Sequence, residues 1–285
     1  MRVAISSMIV GCMILAGFLP ARGQELSPRR IDIQYVEPKT ADLKPVYDQV
    51  MQARVLEKIR DLAAPLRLPR RLLIKTDSCG EANAWYEDDV ITVCYEYLDD
   101  FWKNVPDKTT PAGIAPIDTL VGPIVDLFLH EIGHAVFDYW GTPVLGREED
   151  AADQFSSYII LKFDKGQARR LMLGNAYQYK SDVQRPEVSQ NLKTFADAHG
   201  TPAQRYFNVL CMAYGADPVL FADFVDRGYL PKDRAEGCED EYKQAANAFK
   251  KLIEPYIDQD VAKDLHSSWL LPAPDKRPPR RSDRR

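Results

Sequence analysis

Residues 130–134 read His-Glu-Ile-Gly-His. Side chains four apart on a helix share a face, so His130 and His134 can present imidazole nitrogens to one metal ion. Glu131 is set off by one position. It cannot easily join the same coordination set, but it can reach a water held there. Two nitrogen ligands and an acid able to take a proton are the residue chemistry of metal-assisted hydrolysis. Two core histidines one turn apart would give the same letters, so the rest of the chain has to discriminate.

A catalytic zinc site needs a third protein ligand and an open fourth position. The extended three-histidine pattern would put Gly at 137 and His at 140, where this chain has Phe137 and Trp140. Only His199 and His266 remain elsewhere. The acidic cluster Glu148, Glu149 and Asp150 opens a second helical stretch after a short loop, so the chain can turn back beside the first. Acids also favour a helix's first turn through its dipole, which accounts for Glu148 and Asp150. Of the three, only Glu149 has a further acid four residues on, Asp153, on the same face. Such an acid can hold a ligand histidine by its other ring nitrogen. The spacing therefore selects His130, His134 and Glu149 as ligands of one Zn²⁺, Glu131 as the acid for hydrolysis, and Asp153 as the group that orients His130.

With these residues in place, His130-Glu131-x-x-His134 followed by Glu149-x-x-x-Asp153 resembles the gluzincin, or thermolysin-like, zinc peptidases. The chain as a whole more closely resembles a bacterial family of exported metallopeptidases with no assigned substrate. The segments that carry the likeness are CGEANAWY, CYEYLDDF, HEIGHAVFD, GREEDAADQF, QRYFNVLCMAYGADP and RAEGCEDEY, over about residues 31–256. The resemblance implies a zincin-like α+β fold in which a small mixed sheet, edged by a hairpin, packs on the HExxH helix ahead of a mostly helical part. It also implies that Asn83, Ala84 and Trp85 form the edge strand along which an extended peptide adds; an ordinary hairpin with Trp85 on the core is the competing reading. An oxyanion stabiliser is expected from a downstream helical region, and His199 and Arg205 are the candidates. A surface histidine and a structural ion pair are the plainer accounts of those two.

The elements that must position these groups follow from periodicity. Residues 31–36 alternate as a strand, and 42–64 carry apolar residues at helical spacing. Residues 71–76 read as a second strand. Asn83–Tyr86 and Val90–Tyr95 read as a hairpin turning at Glu87-Asp88-Asp89. A Pro- and Gly-containing loop covers 103–117. A helix spans about 118–139 with Gly141 as its C-cap, and another starts near Arg147. Beyond 165 the pattern is mostly helical, around 187–198, 202–214, 217–226, 239–254 and 259–269. Strands first and helices later indicate α+β rather than alternating α/β.

The ends and cysteines bear on location. Residues 1–23 read as a signal peptide, with a positive start, an apolar run and small residues before Gln24; an uncleaved anchor and a lipoprotein at Cys12 are the alternatives. The body is one domain over 24–271, with an α/β part to about 140, and 272–285 is a basic Pro/Arg-rich tail of disordered composition. No other segment reads as a membrane span. Once Cys12 is removed, Cys79, Cys94, Cys211 and Cys238 remain. The local pairings Cys79–Cys94 and Cys211–Cys238 each bracket one unit, and no C-x-x-C spacing supports a four-cysteine metal site. The net charge of −5, with a basic tail whose removal leaves the body more acidic still, argues against nucleic acid as a partner. The expectation is a periplasmic or secreted zinc-dependent peptide hydrolase acting on peptide or protein. A catalytically weak zinc-binding envelope protein of the same fold is the alternative. Oligomeric state is not legible.

Overall fold

The computed structural model describes residues 30–185 and 194–265. The expected signal peptide, the basic tail, His266 and most of the helix expected at 187–198 lie outside these residues.

Four strands form one mixed sheet: β1 (Ile31–Tyr35), β2 (Leu72–Asp77), β3 (Ala84–Glu87) and β4 (Val90–Cys94), in the order β1-β2-β4-β3. β1, β2 and β4 run parallel, and β3 is antiparallel at the edge beside β4. The alternation in β2 is regular, with Leu72, Ile74 and Thr76 buried, as expected of a strand that covers a core on one face. The hairpin closes on two residues, Asp88 and Asp89, both with positive φ (49° and 66°). That is the backbone a two-residue hairpin turn requires, and Asp tolerates it. The Cys79–Cys94 disulfide staples the hairpin base. There the Glu96 carboxylate accepts from the backbone N–H groups of Cys79 and Gly80 at 3.2 and 2.8 Å.

The apolar spacing over 42–64 belongs to two helices, α1 (Lys44–Gln52) and α2 (Val55–Ala63), not one. Arg54 sits between them in the left-handed region at φ 53°, which no helix can contain. The spacing carries across the break because both helices turn an apolar side to the same core. The strand expected to run through Tyr95 stops at Cys94, and α3 (Tyr95–Lys103) follows directly. It buries Tyr95, Leu98 and Phe101 at every third position. The loop expected at 103–117 begins where α3 ends.

The central element is α4 (Asp118–Trp140), closed by Gly141 in the left-handed conformation (φ 56°). Contrary to the sequence reading, it is long and apolar enough to cross a membrane. It is instead the core helix, with most of its residues buried in the protein. α5 (Glu148–Ile160) and α6 (Lys165–Val183) pack along it. The pattern did not separate α6 as an element. Its N-cap is clear in the structure, where Asp164 accepts from the N–H groups of Gly166 and Gln167. α6 approaches α4 so closely that a Cβ on Gly174 would lie 1.9 Å from the Asp118 carbonyl oxygen, and one on Gly122 2.6 Å from the Leu171 oxygen. Glycine here permits backbone contact that any side chain would prevent.

α7 (Pro202–Ala216) starts on a capping box made by Thr201 and Gln204. The helix expected over 217–226 shrinks to α8 (Asp223–Asp226), since Asp217 turns its carboxylate onto the Leu220 N–H and the chain bends there. α9 (Lys232–Ala235) and α10 (Cys238–Leu252) follow, and the Cys211–Cys238 disulfide ties α10 to α7. The chain then crosses back to the α/β part. Tyr256 stacks on Trp140 at 4.4 Å, its carbonyl accepts from the Arg67 N–H, and the Asp258 N–H donates to the Pro65 oxygen. α11 (Gln259–Leu265) is the last described helix. The architecture is α+β, a small mixed sheet with a mostly helical second half. Both disulfides match the expected pairings, and they fit an oxidising, exported setting.

Candidate metal centre

His130, Glu131 and His134 lie on the C-terminal half of α4, and Glu149 lies in the first turn of α5. Two features bring these helices together. The first is the seven-residue connection 141–147. The second is Gly133, whose missing Cβ would stand 3.2 Å from Phe155 Cδ1 and 3.4 Å from Ala152 Cα. The residue inside the H-E-x-x-H run that faces α5 is thus the one with no side chain, and α5 settles close enough for Glu149 to reach the histidines.

Glu149 Oε2 lies 3.0 Å from His130 Nε2 and 3.3 Å from His134 Nε2, and the two ring nitrogens are 3.2 Å apart. Three donor atoms at nearly equal separations, two imidazoles and one carboxylate, converge on a common point. A tetrahedral zinc with bonds of 2.0–2.2 Å spaces its ligand atoms about 3.3 Å apart, and a His₂Glu set suits that ion. The residues present therefore fit a zinc ion by donor type and by spacing. His199 joins the same carboxylate, with Nε2 2.8 Å from Glu149 Oε2 and its ring stacked at 5.8 Å on that of His130. His130, Glu149 and His199 make a second set of three that could hold a metal ion. His199 differs from the other two histidines in exposure: its side chain is 44% exposed, against 4% for His130 and 14% for His134.

Behind the histidines lies a buried polar network. His130 Nδ1 is 2.8 Å from Asp153 Oδ1. Asp153 is in turn gripped by Arg205, from Nε to Oδ2 at 2.8 Å and from Nη2 to Oδ1. The guanidinium lies over the Tyr179 ring at 4.6 Å. The Tyr179 hydroxyl donates to Asp126 Oδ2 at 3.2 Å, and the Ser156 hydroxyl donates to Asp126 Oδ1. On the solvent side Glu148 Oε1 lies 2.7 Å from His134 Nδ1. Each of His130 and His134 is thus held through its second nitrogen by a carboxylate, an arrangement that sets ring orientation and tautomer.

The charges respond accordingly. Burial disfavours a charged His130, but its bonds to Asp153 and Glu149 outweigh that and carry its pKa to about 9. Burial alone would raise the Glu149 carboxyl, yet hydrogen bonds from His130, His134 and His199 hold it well below the usual carboxylate range. Asp153 is likewise held low against burial, by the Arg205 charge and by His130. Two acids go the other way. Burial pushes Glu131 up, with the nearby histidines pulling back. Burial, then the Asp153 charge, pushes Asp126 up. Buried acids with displaced titrations mark sites of chemistry as well as structural pairs.

Asn83 and Ala84, at the start of the edge strand β3, line the same cavity as His130 and Glu131. Ala84 and Tyr86 pack against the core, so period-two alternation places Trp85 on the opposite face. β3 is tethered to α4 farther along, where the Tyr86 hydroxyl donates to Asp138 Oδ2 at 2.6 Å and Arg70 bridges Asp89 and Asp138. The structure therefore gathers His130, Glu131, His134, Glu149, Asp153, His199, Arg205 and the start of β3 into one region. It turns Arg205 onto Asp153 in a bidentate pair, whereas the sequence reading offered it as an oxyanion donor. Cys79 and Cys94 form the hairpin staple and Cys211 and Cys238 the α7–α10 link. Sequence reasoning missed Asp126, Tyr179 and the contact of Glu148. Asp126 is four residues before His130 and was findable by the same helical spacing; Tyr179 lies on α6, which had no distinct pattern.

A family model described as "Putative metallopeptidase" matches residues 35–253, and the chain belongs to that family. No curated protein and no solved structure matches the chain.

Proposed function

We propose that the protein is an exported zinc-dependent peptidase of gluzincin type, with His130, His134 and Glu149 as the protein ligands of one Zn²⁺. The observation that carries this reading is the convergence of His130 Nε2, His134 Nε2 and Glu149 Oε2 at 3.0–3.3 Å, beside a buried acid at the mouth of a cavity. A zinc ion bound there supplies Lewis acidity, which polarises a carbonyl and makes water nucleophilic near neutral pH.

The chain's own residues do the rest. An extended peptide lies along the free edge of β3 and pairs its backbone with that strand. Glu131 takes a proton from the attacking water on a carboxylate oxygen and returns it to the leaving amine nitrogen. Its raised pKa, a result of burial, brings it nearer the range in which both transfers are easy. His199, partly exposed beside the proposed ligands, exchanges its Nε2 contact with Glu149 for the oxygen that gains charge at the scissile carbonyl and donates to it. Asp153 and Arg205 hold His130 in place. A protein that binds zinc without turnover has no need of an acid at 131, which favours the hydrolytic reading over the catalytically weak one.

The test is a comparison of wild type and Glu131→Gln on an unfolded protein substrate, with zinc content measured in both. The variant is expected to keep zinc and to lose 10²-fold or more of its rate, and wild-type cleavage is expected to stop on chelation. Full activity in Glu131→Gln would sink the mechanism.

A further inference from the structure

Next to Glu131 a cavity of about 190 Å³ enters the protein. A cavity of about 150 Å³ holds one benzene, so the space suits a single substrate side chain. Its upper walls are apolar, from Ala84 on β3, Tyr97 and Phe101 on α3, and Pro123 and Leu127 on α4. Its floor is polar. Residues 175, 178, 179 and 182 of α6 recur at helical spacing and line this side of the space, with Asp126 of α4 beside Tyr179.

The hydrogen bonds of this floor are used unevenly. Gln178 is engaged at both ends: Nε2 donates to Asp182 Oδ1 at 3.0 Å, and Oε1 accepts from Asn104 Nδ2 at 3.4 Å. Asp126 receives the hydroxyls of Ser156 and Tyr179. The cations beside the cavity are committed, Arg205 to Asp153 and Arg185 to Asp182 at 3.1 Å. Asn175 stands apart, because it is 2% exposed and its Nδ2 has no hydrogen-bond partner. A buried donor without an acceptor is costly, and Asn175 is one of the residues that line the cavity beside the proposed reaction centre.

We infer that this cavity selects a substrate side chain ending in a neutral carboxamide, that of glutamine or asparagine. The Asn175 amide turns its buried Nδ2 into the cavity to donate to the carboxamide oxygen, and the substrate NH₂ donates toward the carboxyl groups of Asp126 and Asp182. An aliphatic side chain leaves Asn175 unpaired in a dry pocket, the situation in which a hydrogen-bonding site rejects an analogue most strongly. A carboxylate meets two acids and no free cation. A lysine ammonium has no lone pair to offer Asn175. The inference rests on the peptidase reading and names the side chain its substrate presents.

The test uses two peptide hydroxamates that differ in one side chain, glutamine or leucine, adjacent to the hydroxamate. Each is titrated calorimetrically into the zinc-loaded full chain. The glutamine compound is expected to bind at least tenfold more tightly to wild type. The preference should vanish in Asn175→Leu and shrink in Asn175→Ser, which keeps a small polar group should the leucine variant not fold. Equal or tighter binding of the leucine compound to wild type overturns the inference. So does binding of neither compound, or an unchanged ratio in a folded Asn175→Leu. A protein that ranks the two as expected yet cleaves no peptide supports the pocket assignment and overturns only the hydrolytic reading.

Discussion

His130 and Asp153 meet at 2.8 Å between Nδ1 and Oδ1, across the interface of α4 and α5, and this contact sets the direction in which Nε2 of the histidine points. Asp153 is 12% exposed and keeps its charge because Arg205, 16% exposed, closes on both its oxygens. Ligand, acid and guanidinium form one line from the proposed metal position into the core.

Removing the guanidinium is therefore expected to act at a distance. In Arg205→Met the Asp153 carboxylate is left buried beside Asp126 without its partner. Breaking a buried pair from one side costs about 3–5 kcal/mol, and loss of a group supporting a ligand histidine weakens metal binding about 10–100-fold. Denaturant unfolding and zinc competition with a chromogenic chelator measure the two effects. Arg205→Lys should recover only part of each, since an ammonium cannot make the forked contact. Unchanged zinc affinity in the folded Met variant would remove Asp153 and Arg205 from the orientation of His130.

His199 shares a carboxylate oxygen with the proposed ligands but is far more exposed. His199→Ala is expected to retain one zinc per chain after dialysis and to lose about 10²–10³-fold in kcat, the loss typical of a deleted oxyanion donor. Loss of the metal instead would shift the ligand set to His130, Glu149 and His199.

The metal-free protein should depend on pH in a direction set by His130. Its pKa is about 9 in the fold, the carboxylates around it outweighing burial, against about 6.5 for an ordinary histidine. The stabilisation from the protonated ring is full below about pH 6.5 and disappears as pH rises through 9. Thermal melts in the presence of chelator should show Tm falling across that window. Zinc affinity should rise across the same window, because the ligand nitrogen must first give up its proton. A flat Tm from pH 6.5 to 9 would contradict the assigned pairing.

The α4–α6 crossing is expected to tolerate no added atom. Gly174→Ala places a Cβ 1.9 Å from the Asp118 carbonyl oxygen, so the helices must part; roughly 3 kcal/mol or more of stability should be lost, the upper end for overpacking. Asn175 would shift with them. Gly133→Ala meets a side chain, Phe155, at 3.2 Å, and about 1 kcal/mol is expected there. Urea unfolding of both variants checks the ranking.

Much of the scaffold was legible because it rests on local rules. The strands 31–36 and 71–76, the hairpin on Asp88-Asp89, the Gly141 cap and the α5 start near Arg147 each follow from neighbouring residues. The failures were of two kinds. At Arg54 a single left-handed residue broke a pattern that stayed helical on both sides. In α6 apolar and polar faces intermix, because one side packs on α4 and another lines a polar cavity, so no clean period survives.

For the site, the residue types and spacings determined by themselves that two imidazoles share a helix face, that an acid adjoins them, and that Glu149 and Asp153 share a second face. Helical geometry is local, and four-residue spacing is all that these inferences need. The turning of Arg205 inward, the entry of Glu148 and Asp126, and the unpaired Asn175 near Glu131 were decided by tertiary structure. Each depends on how closely two helices approach, and that distance is set by side chains absent at Gly133, Gly122 and Gly174 and by packing between segments far apart in the chain.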